Sequence, residues 1–279
     1  ASIGYFDTLL KNHGIKFETL HMEHDVNFGG GMPEPKPKYL KELIERVISE
    51  PNSVGCAIVG DSDRFGFINE NGEYVTPNEI IAILLLHLVR DRKMTGCLVK
   101  TVGASLMLNK IAEKFDVPVV ETAVGFKHVG EAMRLNDCII GGEESGGLSI
   151  KGHIPEKDGL LANLLILEAM AYSKKSMVEL QQELKEIVGV DFVNNRVDFK
   201  LNDRSEIENV IKKISEIKSA CGMNLTNTDT KDGIKVYYGD NSWVLARPSG
   251  TEPLMRIYFE SDSKEHLDNL EKDILEQIK

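Results

Sequence analysis

The chain has 279 residues, 42% of them hydrophobic, with 44 acidic and 33 basic side chains and a net charge of −11. That length and apolar content suffice for two or three domains with cores of their own. The acidic balance excludes nucleic-acid binding through a basic surface, and no apolar run reaches membrane-spanning length.

No signal-peptide pattern opens the sequence, and the four cysteines Cys56, Cys97, Cys138 and Cys221 lie far apart with no C-x-x-C pair. They read as buried free thiols of a cytoplasmic protein. Residues 1–75 read as one α/β unit. A short helix over Tyr5 to His13 stops at Gly14, and Ile15 to Met22 alternates as a strand. A loop over 27–35 leads to a helix over 37–50, with Leu40, Leu43, Ile44, Val47 and Ile48 on one face. Cys56 to Val59 reads as a buried strand that runs into a polar loop over 60–66.

The unit over 76–187 opens on Thr76-Pro77-Asn78-Glu79, a capping box with proline at the first helical position. The helix behind it, to Val89, is apolar nearly all round and should be buried. Strand 96–100, helix 104–115, strand 117–122, helix 126–135 and strand 138–141 alternate as a doubly wound sheet does. A helix over 158–173 follows the glycine-rich stretch 141–147, and Ser176 to Glu179 opens another with a second capping box. The unit over 188–279 has strand 192–200, helix 205–220, strands near 224–230, 234–239, 243–246 and 256–260, and a last helix with Leu267, Leu270, Ile274 and Ile278 inward. The expected architecture is two doubly wound α/β domains followed by a smaller α+β domain.

Four loops carry chemistry. In Asp61-Ser62-Asp63-Arg64, carboxylates at alternate positions of an extended loop point the same way and offer hard oxygens to Mg²⁺; a solvated acidic turn has the same composition. Lys127 and His128 open a helix after Gly125, where an anion is favoured; they also fit an exposed surface pair. Glu143 and Ser145 stand two apart on a glycine-flanked loop and suit paired sugar hydroxyls, or an ordinary glycine-rich loop. Arg247-Pro248-Ser249-Gly250-Thr251 ends an apolar strand with free backbone N–H groups, hydroxyl donors and a guanidinium fork. That set suits a phosphate dianion, or a plain Pro-Gly turn. Arg256 beyond it is a second cation.

The seven residues Arg247-Pro248-Ser249-Gly250-Thr251-Glu252-Pro253 resemble the phosphate-binding loop of the α-D-phosphohexomutases, the family of phosphoglucomutase and phosphomannomutase. The other loops resemble that family's loops in the same order. The resemblance implies Mg²⁺ on Asp61 and Asp63, with Arg64 and Lys127 at the transferring end. It implies sugar recognition by Glu143 and Ser145, and distal phosphate binding by Arg247, Ser249, Gly250, Thr251 and Arg256. Two departures stand out. The family's metal loop reads Asp-Gly-Asp-x-Asp-Arg, and Val59 stands where its first carboxylate belongs. Many members carry histidine where this chain has Gly147; His153 is then either its substitute or a structural side chain. The segment over 27–35 also resembles a family segment and reads as structural.

The implied activity is exchange of phosphate between O1 and O6 of glucose or mannose, through a phosphoserine and a glucose 1,6-bisphosphate-type intermediate that also activates the enzyme. The family's serine loop, of Ser-His-Asn-Pro type, does not occur in the sequence. The chain therefore reads as the last three of four domains, with the N-terminal domain as its missing partner and hexose phosphates as ligands. The alternative is a non-catalytic sugar-phosphate binder. With two carboxylates in place of three, Mg²⁺ binding is expected to be weak or absent.

Overall fold

The computed structural model describes residues 1–201, 203, 205–249 and 254–278. Helix α1 (Phe6–Asn12) and helix α2 (Lys41–Ser49) precede strands β1 (Gly55–Ile58), β2 (Phe65–Ile68) and β3 (Tyr74–Val75). These strands form a three-stranded antiparallel sheet in that order. Among the described residues, 15–22 form no strand, contrary to the alternation. Ile15, Phe17 and Met22 are exposed. Alternation creates an apolar face, but a strand persists only where a neighbour takes its backbone hydrogen bonds, and none lies alongside. The loop expected over 60–66 is shorter than read, because Phe65 and Gly66 already pair with Ile58 and Ala57.

The middle unit runs α3 (Pro77–Leu86), β4 (Cys97–Thr101), α4 (Leu106–Lys114), β5 (Val119–Thr122), α5 (Phe126–Leu135), β6 (Cys138–Gly142), β7 (Leu148–Ile150), α6 (Gly159–Ser173) and α7 (Met177–Val188). Its sheet order is β5-β4-β6-β7, with β4 parallel to β5 and β6, and β7 antiparallel at the edge. Both capping boxes form: the hydroxyls of Thr76 and Ser176 accept from the amides of Glu79 and Glu179, whose carboxylates reach back. Helix α3 is buried along nearly its whole length. One apolar cluster joins Phe65 and Phe67 of β2, Ile80 to Leu86 of α3, Ile139 and Ile140 of β6, and Ala162 and Ile166 of α6. The antiparallel sheet therefore rests on α6 and α3. The parallel register Lys100↔Glu121 and Lys100↔Gly142 brings the carboxyl ends of β5 and β6 to one edge. Loops leaving an open α/β sheet at that edge form its binding crevice.

The last unit comprises β8 (Val193–Lys200), α8 (Glu206–Glu216), β9 (Ser219–Ala220), β10 (Met223–Asp229), β11 (Ile234–Tyr238), β12 (Ser242–Pro248), β13 (Leu254–Ser261) and α9 (Lys264–Ile278). The six strands are ordered β8-β13-β12-β11-β10-β9, all pairs antiparallel. Helix α8 ends earlier than read, since Ile217 is extended and Cys221 and Gly222 turn left-handed. Cys221 is also exposed, against the expectation of four buried thiols, because it lies in that turn outside the core. One sheet face packs on α8 and α9 through Val236, Val244, Ile257 and Phe259. On the other face, Trp243 and Leu245 meet Val102 of the middle unit.

A polar knot around buried His87 ties the segment just after α3 to α6 and α7. His87 lies 2.9 Å from Asp91 and 3.1 Å from Glu168, and is 2% exposed. Arg90 reaches Glu183 at 2.7 Å, and Arg92 pairs with Glu168. Burial raises the pKa of Asp91, Glu168 and Glu183, but their bonds to His87, Arg90, Arg92 and Lys175 outweigh it and hold all three below the ordinary carboxylate range. A depressed folded-state pKa contributes stability above the unfolded value, about 4, and loses it as pH falls through the folded value. Urea unfolding should therefore show stability falling below about pH 4, and less steeply in Glu168→Gln. An identical acid limb in that variant would contradict the assignment.

Candidate functional site

The four candidate loops are joined by a continuous run of contacts. Loop 61–64 connects β1 to β2. The Phe65 N–H donates to the Gly146 carbonyl at 3.0 Å, and the Gly159 N–H donates to the Ser62 carbonyl at 2.9 Å. Gly146 has φ +96°, and a Cβ there would stand 2.9 Å from the Phe65 carbonyl oxygen, so glycine permits this approach. Earlier in the same loop, Glu143 accepts from the Gly125 N–H at 2.9 Å and from the Ser145 hydroxyl at 3.3 Å. The neighbouring Val124 N–H donates to Asp232 at 3.0 Å, and the same Asp232 oxygen accepts from Arg247 Nε at 3.0 Å. The line from Asp63 through Gly146, Glu143, Gly125 and Asp232 to Arg247 thus crosses all three units.

The electrostatics follow from this packing. Glu143 is 5% exposed. Burial and the charge of Glu144 raise its pKa, against the pull of the Gly125 amide and Lys157. Glu144 is itself held by the Thr101 hydroxyl at 2.8 Å. Lys127 is exposed at the start of α5 and makes no hydrogen bond or ion pair among the described residues. Arg247 and Arg256 are direct cross-strand partners on β12 and β13, so both side chains leave the same sheet face. Two like charges so placed repel unless an anion lies between them. Asp198, the partner of Arg256 on β8, is bound to Arg196 at 3.2 Å. The Nε of Arg256 is buried and has no hydrogen-bond partner among the described residues. Ser249 is buried, with its N–H on the Leu254 carbonyl at 2.9 Å. Gly250 and Thr251 lie outside the described residues.

At the acidic loop, Asp61 is exposed and Val59 is buried at the end of the strand. Asp63 receives the Lys157 ammonium at 2.6 Å and Arg64 Nε at 3.4 Å. Burial raises the pKa of Asp63, but Lys157 holds it below the carboxylate range. Among the described residues, no group of three or more His, Cys, Asp or Glu side chains is placed to hold a metal ion. Mg²⁺ requires about six oxygens in near-octahedral array. Two carboxylates, one of them ion-paired, are a poor fit.

His153 lies 3.1 Å from Asp158, which caps α6 by accepting from the Leu160 and Leu161 amides. This contact links the two ends of the 153–158 stretch. Sequence reasoning missed three residues. Asp232 and Lys157 join loops distant in the chain. Glu34, in the segment over 27–35, lies 3.8 Å from Arg64 and 2.6 Å from Lys36. The signal for Lys157 was its place beside the capping aspartate; Asp232 carried none beyond a turn composition.

Comparison with known proteins gives three adjoining matches. Family models described as phosphoglucomutase/phosphomannomutase alpha/beta/alpha domain II, alpha/beta/alpha domain III and C-terminal domain match residues 1–72, 76–187 and 193–277. A phosphoglucomutase/phosphomannomutase of Thermococcus kodakarensis is 32% identical over 257 residues, covering 92% of this chain and 54% of the relative. A phosphoglucosamine mutase of Methanocaldococcus jannaschii is 31% identical over 275 residues, covering 97% and 58%. The crystal structure of a Thermus thermophilus protein assigned as a phosphomannomutase superposes with a TM-score of 0.83 at 30% identity, covering 100% of this chain and 58% of that one. The chain spans little more than half the length of these relatives.

Proposed function

The chain belongs to the phosphoglucomutase/phosphomannomutase family, and from that membership we propose that its four joined loops form a hexose-phosphate site of the phosphohexomutase type. The observation that carries the reading is the run of contacts from Asp63 through Glu143 and Gly125 to Asp232 and Arg247. With Glu143 and Ser145 lying between the start of α5 and the cross-strand arginines, it supports a sugar subsite flanked by two anion subsites. In this reading Arg247 and Arg256, with Ser249, Gly250 and Thr251, hold the phosphate distal to reaction. Glu143 and Ser145 grip adjacent hydroxyls in either of two flipped poses. Lys127 and Arg64 neutralise charge on the phosphate at the reacting end. A loose phosphoryl transition state needs mainly such positioning and charge.

The reaction served would be exchange of phosphate between O1 and O6 of a hexose. A Ser-His-Asn-Pro-type loop is absent from this sequence, and the Asp63 carboxylate is already paired. Both favour a chain that, as given, binds hexose phosphates without sustained turnover. Relatives bear the names of gluco-, manno- and glucosamine mutases, so the assay takes the 1-phosphates of all three sugars. The purified 279-residue chain should bind at least one of them by calorimetry and show no continuing conversion to the 6-phosphate in a coupled assay. Sustained turnover would overturn the binding-only reading; absence of binding by all three would overturn the site.

A further inference from the structure

We propose that Lys157 is the resident cation of the acidic loop, its ammonium standing in for a divalent metal, so that hexose-phosphate binding at this site is metal-independent. The second half rests on the function proposed above; the first half does not.

Three features place the lysine there. Its ammonium lies 2.6 Å from Asp63 Oδ2, with both side chains about three-quarters buried at 24% and 25% exposure. Its stem crosses the space beside Gly147: a Cβ at that position would stand 2.5 Å from Lys157 Cδ and 2.7 Å from Cγ. Any side chain at 147 would therefore displace the lysine. The backbone fixes the two partners' spacing from the other side, because Gly159, two residues beyond Lys157, donates its N–H to the Ser62 carbonyl at 2.9 Å. A Cβ at Gly159 would stand 2.5 Å from the Arg64 carbonyl oxygen, so a side chain there would push the acidic loop off the start of α6.

The charges then balance without a metal. Asp63 and Glu34 are paired with Arg64, Lys157 and Lys36, and Asp61 is exposed to water. Val59, buried and apolar, adds no oxygen to the set. An ammonium carries one charge and three hydrogen-bond donors with no demand for octahedral geometry. It can hold Asp63 and still present a donor to a phosphate oxygen. A divalent ion would have to displace it to reach Asp63.

The test compares Mn²⁺ binding, read by water-proton relaxation, in four forms of the 279-residue chain: natural, Val59→Asp, Val59→Asp with Lys157→Met, and Val59→Asp with Lys157→Arg. Removing the lysine should tighten Mn²⁺ binding at least about tenfold over Val59→Asp alone, the scale on which neighbouring groups tune metal sites. The arginine form should stay close to Val59→Asp, which shows that charge rather than folding is read. Equal affinity in Val59→Asp with and without Lys157→Met would overturn the assignment, as would tight Mn²⁺ binding by the natural chain. A second arm titrates glucose 1-phosphate into the natural chain in EDTA and in Mg²⁺. Equal affinities support metal independence, and a marked gain with Mg²⁺ overturns it. If glucose 1-phosphate does not bind in either medium, the mannose and glucosamine 1-phosphates are titrated in its place; failure of all three counts against the proposed function and leaves the Mn²⁺ result to decide the role of Lys157.

Discussion

Trp243→Ala should lower folding stability by about 3–5 kcal/mol, the range for deleting a large buried aromatic. Trp243 is 1% exposed and lies between Val102 and Leu245, where the last unit meets the middle one. Its indole N–H donates to Glu260 at 2.7 Å, and the same carboxylate oxygen accepts from the Leu106 N–H at 2.8 Å. The Lys235 ammonium lies 4.1 Å from the ring centroid. That lysine is 1% exposed, and burial together with nearby Lys100 pushes its pKa down to about 7. The ring thus does three things together: it fills volume, ties Glu260, and covers a cation that has little water. Trp243→Phe keeps most of the volume and should cost less, about 1.5–3 kcal/mol for one lost hydrogen bond to a charged group, since the Glu260 oxygen keeps the Leu106 amide. Urea unfolding followed by circular dichroism separates the two. A loss under about 1 kcal/mol for Trp243→Ala, an ordinary surface-scale effect, would mean that the interface does not depend on this contact.

Arg247→Ala is expected to weaken binding of a hexose phosphate by about 1.5–3 kcal/mol, the range for a hydrogen bond to a charged group. The neutral hexose should be barely affected. Arg247 is 17% exposed and oriented by Asp232, so its guanidinium meets a phosphate with little further ordering to do. Asp232 also holds the Val124 amide beside Lys127. Asp232→Asn should keep that amide contact while loosening the guanidinium, and so should lose less affinity than Arg247→Ala. Calorimetry with glucose 1-phosphate and with glucose decides the matter. Equal losses for both ligands would mean that Arg247 supports the fold and does not read the phosphate.

Much of the fold was legible because its signals are local. The Thr76 and Ser176 capping boxes span three residues, and both form as read. The inward faces of α8 and α9 follow from apolar spacing at 3.6 residues per turn. The mixed α/β class and the order of its three units were legible for the same reason, and the family followed from loop motifs written in contiguous residues. The alternation over 15–22 was equally local and misled. A helix satisfies its hydrogen bonds within itself, whereas a strand depends on a neighbour that no local pattern reveals. The short strands β3 and β7 went unread for the converse reason: their pairing with β2 and β6 makes them strands.

Sequence alone singled out the side chains proposed to carry the chemistry: Asp61, Asp63 and Arg64, Lys127, Glu143 and Ser145, Arg247 and Arg256. Tertiary structure decided what each of them faces. The parallel register of β4 with β5 and β6 brings Gly125 to Glu143, 18 residues apart, and the docking of the last unit brings Asp232 to Val124 across 108 residues. An ion pair such as Lys157 with Asp63 depends on distance and on shelter from water, and neither is written in the spacing of charges along a chain. Gly147 shows the same division. Its lack of a side chain was visible in the sequence, but only the packed structure shows that the lysine stem uses the space it leaves.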